Sequence, residues 1–368
     1  VTATGQPTSE RYGARVWRAF KRTPRAILSF WVVVVLAALA LGADLIANDK
    51  PYYIRVDGQS YFPIARSFAV GMGLAAWPQE LRNADFYELN QRAESAVWPP
   101  IPYSPTRIDI RSQPFASPSG AHWFGTDHLG RDIAAGMLHG TRISLTIGLV
   151  VVAIQASIGI ALGGLAGYYG GWVDLVISRL IELMLGIPTL FLLITIAAIF
   201  PPSLYTIMAV LGFLGWTGIA RYVRSEFLRV RSQDFVVAAR SLGGSDVRVM
   251  LHHVLPNSLA PVLVAMSFGV ASAILAESGL SFLGIGVPAH VVTWGSILSA
   301  ARANTFAWWL AIFPGAAIFL TVTVYNLMGD GLRDALDPKV VQDPTREEAA
   351  LASPLAVPPP AGGSAATT

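Results

Sequence analysis

The sequence predicts an all-α integral membrane protein with six transmembrane helices and a long extracytoplasmic segment after the first. Three observations predict it. Of 368 residues, 53% are hydrophobic and only 13% charged, with a mean hydropathy of +0.52; a soluble globular chain carries about 25% charged residues. Six apolar runs are each long enough to cross a bilayer, which takes roughly 20 residues. Two separate arginine clusters place the same side of those runs in the cytoplasm. The net charge of +3 is too small on this length to indicate a nucleic-acid-binding protein. The absence of cysteine removes disulfides, thiolate nucleophiles, iron–sulfur clusters and cysteine-ligated zinc.

Residues 1–25 form a basic cytoplasmic tail with Arg11, Arg15, Arg18, Lys21, Arg22 and Arg25, because clustered positive charge resists translocation. Residues 26–46 hold span 1, the apolar run from Ile27 to Ile46. It ends in LIANDKP, without the small-x-small cleavage pattern of a signal peptide, and is read as a retained span. Residues 47–139 form the extracytoplasmic segment, too long for its charges to set topology. Its aromatics, among them Tyr52, Tyr53, Tyr61, Phe62, Trp77 and Trp98, predict a folded or lid-like subdomain rather than a linker.

Residues 140–330 carry the other five spans: Ile143 to Gly167, Val173 to Ile199, Leu204 to Ala220, Ser258 to Leu283 and Ala307 to Met328. A cytoplasmic loop, 221–257, separates spans 4 and 5 and brings Arg221, Arg224, Arg229, Arg231, Arg240 and Arg248. Six spans return the second terminus to the cytoplasm. Residues 331–368 are the cytoplasmic tail, rich after about 340 in Pro, Ala, Gly, Ser and Thr without an apolar period, hence disordered.

Within the 221–257 loop, Ser232 to Asn257 reads as two short helices hinged on a glycine pair. Ser232 or Asp234 caps the first, and Gly243 supplies the left-handed position that ends it. Ser245 or Asp246 caps the second, which runs from Val247 until Pro256 stops it. Such a hairpin also describes a DNA-reading helix-turn-helix, but its ends are tied to two membrane spans. The remaining readings are an amphipathic segment lying on lipid headgroups and a knob that transmits movement from a soluble partner into the spans.

AARSLGGSDVRVMLHHVLP resembles the loop signature of the membrane subunits of ATP-binding-cassette importers: Glu-Ala-Ala, three residues, Gly, nine residues, Ile-x-Leu-Pro. Ala238, Ala239, Gly243, Leu255 and Pro256 match; Val237 stands in place of the Glu and His253 in place of the Ile. HWFGTDHLGRDIAAGMLHGTRISLTIGL (122–149), GYYGGWVD (167–174), ESGLSFLGIGVP (277–288) and GLRDALDPK (331–339) are similar to the dipeptide/oligopeptide branch. DLIANDKPYYIRVDGQSYFP (44–63) is similar to the membrane subunit of the microcin C-type oligopeptide importer.

The resemblance implies the type I importer permease fold, multi-pass in the bacterial inner membrane, with this chain forming half of a peptide translocation path. It implies a second homologous permease subunit, two cytoplasmic ATPase subunits or one fused ATPase, and an extracytoplasmic peptide-binding protein. It also implies that Ala238, Ala239, Gly243, Ser245, Asp246, Leu255 and Pro256 couple to the ATPase. Other cargoes, such as nickel chelates or other small solutes, stay open. So does a gated receptor or channel with no pump role.

No G-x-x-x-x-G-K-[ST] occurs, so this chain builds no phosphate-cradling loop; this agrees with the resemblance, which implies that ATP and magnesium are bound in partner subunits. No catalytic residue and no metal site is expected: there is no Gly-x-Ser-x-Gly or His-Glu-x-x-His, and His122, His128 and His139 lack ligand spacing.

Two carboxylates fall within spans, where an unpaired charge costs about 2.5–3.5 kcal/mol on insertion scales. Glu182 has Arg179 three residues earlier on the same helix face; a structural ion pair competes with a place on the translocation path. Glu277 either faces that path, to meet a peptide amino terminus, or is solvated at the interface. Asp127, Arg131 and Asp132 sit at the extracytoplasmic mouth, as loop and helix caps or as a contact surface for a binding protein. Gly163 and Gly167, four apart, allow a close approach by another subunit or a neighbouring span.

Overall fold

The computed structural model describes residues 12–336 apart from 83, 109–112, 202 and 289, with backbone alone at 12–15, 197 and 198. The expected disordered tail lies outside the described residues. The basic N-terminal stretch folds as an amphipathic helix, α1 (Tyr12–Arg22), which buries Phe20 against Ala26 and Ala335. Pro24 then opens α2 (Pro24–Leu41) at a position where its missing N–H has no helical partner to lose. At 1.5 Å per residue α2 is about 27 Å long, near the roughly 30 Å thickness of the hydrocarbon core. Gly42 ends it, and a single turn, α3 (Ala43–Ile46), follows.

The next segment carries a small sheet, which an all-α assignment omits. Strands β1 (Tyr53–Val56) and β2 (Gln59–Tyr61) form a hairpin pairing Ile54 with Tyr61 and Val56 with Gln59. Asp57 and Gly58 turn it with φ of 50° and 74°, the two left-handed residues that match strand twist in a two-residue turn. Asp-Gly between alternating apolar residues is a strong hairpin signal. Helices α4 (Pro63–Gly71) and α5 (Phe86–Arg92) and strand β3 (Ser95–Val97) complete the unit, with strand order β2-β1-β3.

Five further long elements build the bundle. The first, α6 (Ile133–Tyr169), begins at Ile133 rather than Ile143, because Asp132 caps it through the Ala135 N–H at 2.7 Å. Near its start, His139 and Arg142 bond the carbonyls of Ala47 and Ala40, so this end holds the sheet-bearing segment. Span 3 is not one helix. It is α7 (Gly171–Gly186) and α8 (Thr189–Ile199), bent by 75°. Pro188 lacks an N–H and pushes Ile187 out of the helical region, to φ −92° and ψ 120°.

Helix α9 (Leu204–Val230) continues well past Ala220, since Val223, Phe227 and Val230 keep an apolar face buried against α6 while the arginines between them point elsewhere. The short helices α10 (Asp234–Ser241) and α11 (Asp246–Val249) lead through a π turn, Met250–Val254, into α12 (Leu255–Phe282). Then α13 (Trp294–Ala300) and α14 (Trp309–Leu336) close the bundle. The end of α14 takes in residues expected to begin the tail. Among the described residues, five helices are long and apolar enough to cross a membrane, or six with α7–α8 counted as one bent span.

The glycines of α6 determine its neighbour. A methyl at Gly163 would collide with the Ala220 carbonyl and one at Gly167 with that of Arg224, so α6 and α9 touch backbone to backbone. The close partner is a span of the same chain. Elsewhere α12 lies between α6 and α14, and Trp294, almost fully buried, donates its indole N–H to the Met137 carbonyl at 3.3 Å.

Candidate functional site

The hairpin at 232–257 sits at the end of the bundle where α6 finishes and α9 overhangs. Its inner face is aliphatic: Val236, Val249 and Val254 are fully buried and join Val223, Phe227 and Val230 in one cluster. The turn is as the glycine pair predicts. Gly243 has φ 82°, its N–H reaches the Arg240 carbonyl at 2.9 Å, and the Gly244 N–H reaches that of Ala239 at 3.1 Å.

The caps differ from expectation. Gln233 occupies the cap position of α10 without a side-chain bond, while Ser232 donates backwards to the Arg229 carbonyl at 2.9 Å. Ser245 precedes α11, again without a side-chain bond. The carboxylate of Asp246 is used elsewhere: it accepts a hydrogen bond from the Tyr168 hydroxyl at 2.9 Å. Nor does Pro256 stop the second helix. The π turn carries the chain past it, with the Leu255 N–H bonded to the Met250 carbonyl, so the missing Pro256 N–H falls where the ladder changes register.

Tyr168 is the residue the sequence does not point to. It lies at the end of α6, its ring 4.7 Å beneath the Arg240 guanidinium, and its carbonyl accepts from Arg231 at 2.9 Å. Both sides of the hairpin therefore grip one tyrosine. Next to it, Asp174 of α7 forms a two-pronged pair with Arg224 of α9, whose second contact is 2.7 Å. The only sequence signal is the stretch GYYGGWVD, an aromatic pair before two glycines.

The outer side of the hairpin exposes large apolar side chains among polar ones such as Asp234, Arg240, Arg248 and His252. Phe235, Val237, Leu242, Val247 and Leu251 are all exposed, Leu242 by 89%. Of the residues singled out from the sequence, Ala238, Gly243, Ser245, Asp246 and Pro256 are exposed, and Ala239 and Leu255 are half-buried. Ala239 packs against the inner cluster. It faces the protein's own core.

The remaining candidates are held locally. Glu182 pairs with Arg179 on the exposed side of α7. Glu277 does not face an open path. It is fully buried, accepting from Ser281 at 2.7 Å and Thr293 at 2.8 Å. Thr293 caps α13 through a reciprocal pair with Ser296, so Glu277 fastens α12 to α13.

At the other end of the bundle, Asp127 accepts from the N–H groups of Leu129 and Arg131 at 2.8 and 2.9 Å and pairs with the Arg131 guanidinium at 2.8 Å. Asp132 adds His122 at 2.8 Å to its capping bond. Burial pushes its carboxyl above the usual range, against the lowering effect of the Ala135 N–H and His122. Asp127, Arg131 and Asp132 line one cleft of about 290 Å3 with Ser296 and Ser299. Among the described residues, no three of His, Asp and Glu converge as metal ligands.

This architecture has relatives. The family described as binding-protein-dependent transport system inner membrane component matches residues 159–342. The N-terminal TM domain of oligopeptide transport permease C matches residues 11–64. The inner membrane ABC transporter permease protein YejE of Escherichia coli K12 is 38% identical over 334 residues, 88% of this chain and 96% of its own. The dipeptide transport system permease protein DppC of Alkalihalophilus pseudofirmus is 42% identical over 239 residues, 65% of this chain and 78% of its own. The peptidoglycan transport system permease protein YejE of Agrobacterium fabrum is 31% identical over 360 residues, 90% of this chain and 93% of its own.

Proposed function

We propose that this chain, which belongs to the family of binding-protein-dependent transport system inner membrane components and is a multi-pass permease subunit, carries peptides inward across the bacterial inner membrane. Its relatives include permeases named for dipeptide and peptidoglycan transport. In this reading the spans form half of a translocation path completed by a second homologous permease subunit. An extracytoplasmic binding protein delivers the peptide to the end bearing the sheet and the Asp127–Asp132 loop. Both termini and the 232–257 hairpin face the cytoplasm.

The observation that carries the coupling role is the exposed apolar face of the hairpin, from Phe235 to Leu251, on an element braced from behind by Tyr168. Exposed apolar side chains grouped on one element suit a protein partner or a lipid surface, and an element braced from behind can transmit force from a protein partner. ATP binding and hydrolysis then occur in cytoplasmic ATPase subunits. Closure of the ATPase pair moves the hairpins, and the spans rock between outward-open and inward-open states.

The test is uptake of labelled di- and oligopeptides by a deletion strain carrying this chain, with nickel chelates as the competing cargo, alongside co-purification of an ATPase. Peptide uptake that depends on the chain supports the reading. Chelate uptake without peptide uptake overturns the cargo, and a chain that purifies without any ATPase overturns the pump.

A further inference from the structure

A second apolar feature lies at the same end of the bundle, reaching the hairpin only at Pro256. Helix α1 packs on α14 and α2, leaving beside the start of α12 a groove of about 420 Å3 lined by Trp17, Phe20, Phe30, Leu259, Leu263 and Leu332. Its floor and walls are hydrocarbon. Beside its mouth, Lys21 places its ammonium 5.1 Å from the ring centre of the lining Trp17, and the next basic residues, Arg22 and Arg25, are exposed at the α1–α2 junction. The whole of α1 contains no acidic residue to balance them.

The groove opens beside the foot of a membrane span, at the level where lysine and arginine keep their stems in apolar surroundings and their charges at the headgroups. Trp17, 43% exposed, has the amphipathic ring typical of that level. We propose that this groove binds one anionic phospholipid, its acyl chain along Leu259 and Leu263 and its phosphate at Lys21 and Arg22. Charge and shape select the occupant together. A zwitterionic lipid satisfies the hydrocarbon walls but brings its own ammonium beside these cations, and a soluble anion leaves the walls unfilled.

Each basic residue beside an anionic lipid gives a roughly fivefold preference, so two give about 25-fold. The full chain, with the subunits that co-purify, is placed in phosphatidylcholine vesicles holding a trace of tail-photoactivatable phosphatidylglycerol or phosphatidylcholine. Labelled peptides are then mapped. Labelling of the α12 peptide containing Leu259 and Leu263 should favour phosphatidylglycerol strongly. The pair Lys21→Gln and Arg22→Gln should abolish that preference while phosphatidylcholine labelling stays. Leu263→Trp, which fills the groove, should lower both. Labelling of the α8 peptide, whose Leu190, Phe191 and Ile194 are exposed, checks that each variant is inserted in the bilayer. Equal labelling by the two lipids in the unaltered chain, a preference that survives both neutralisations, or the groove peptide cross-linked to another protein segment instead of lipid overturns the proposal.

Discussion

Tyr168, the second-last residue of α6, donates its phenolic proton to Asp246, the first residue of α11, 78 positions along the chain. The bond ties the longest span to the second half of the hairpin, and Arg240 stacked on the same ring ties in the first half. A hydrogen bond to a charged acceptor is worth about 1.5–3 kcal/mol, and the exposure of Asp246 puts this one at the low end. Tyr168→Phe keeps the ring beneath Arg240 and loses only the hydroxyl; Tyr168→Ala loses both. Both variants are expected in the membrane at normal levels and bound to ATPase. Peptide uptake should fall about tenfold or less for Phe and further for Ala, with ATP hydrolysis no longer stimulated by peptide. Unchanged uptake in Tyr168→Ala would show that the bundle moves the hairpin without this contact.

Gly243 makes a separable test of shape. With φ 82° and no atom within 4 Å of an added methyl, the site resists side chains through backbone conformation alone. A left-handed conformation costs an ordinary residue roughly 1–2 kcal/mol, while Asn and Asp visit it readily. Gly243→Asn should therefore support near-normal ATPase pull-down and uptake, and Gly243→Val should lose both. Equal loss in the two variants would point to a contact that needs a bare glycine.

How much of this was legible beforehand differs by element. The spans are legible because apolar runs of bilayer length have few alternatives, and the αL turn because two adjacent glycines announce it. The break at Ile187–Pro188 and the Asp57–Gly58 hairpin had local signals too, a proline in an apolar run and a turn pair between alternating residues. The Tyr168–Asp246 bond had only the aromatic pair of GYYGGWVD, which names no partner. It joins distant residues, and neither periodicity nor charge pattern picks one tyrosine of a pair. Nor could the sequence show that Glu277 is enclosed by hydroxyls, because Thr293 belongs to a helix that folds back from a different segment.

Close packing of α6 on α9 predicts a stability effect distinct from coupling. Gly163 meets the Ala220 backbone, which cannot rotate out of the way as a side chain can. Gly163→Ala should cost about 1–3 kcal/mol, the range for an overpacked core contact. Thermal stability in detergent should drop, measured by loss of monodispersity on heating. Gly218 faces open space on the neighbouring helix, so Gly218→Ala is the control. Equal stability of the two alanine variants would mean that α6 and α9 separate more easily than their packing indicates.

The hairpin face yields the prediction that decides between a docking knob and a headgroup anchor. The motif position of Ala239 marks it as a docking residue, but it packs inward, so Ala239→Trp would distort the hairpin itself. Ala238 is the exposed member of the pair and belongs to the side that carries Val237 and Leu242. If that side fits a groove on an ATPase, Ala238→Trp overpacks the contact by about 1–3 kcal/mol, weakening ATPase binding about 5- to 150-fold at 1.4 kcal/mol per decade. Leu242→Asp should act in the same direction, by burying a charge. Neutralising Arg248 is expected to matter less, since it lies on the exposed surface and surface ion pairs contribute about 0–1 kcal/mol. Arg240→Gln is the informative exception: it leaves the apolar face intact but removes the stack on Tyr168, so ATPase should still bind while uptake declines. Affinity is read by titrating purified ATPase onto the chain in nanodiscs, and uptake in cells. Should Arg248→Gln abolish ATPase binding while Ala238→Trp and Leu242→Asp leave it intact, the hairpin holds its partner by charge, and its bare apolar face rests on lipid.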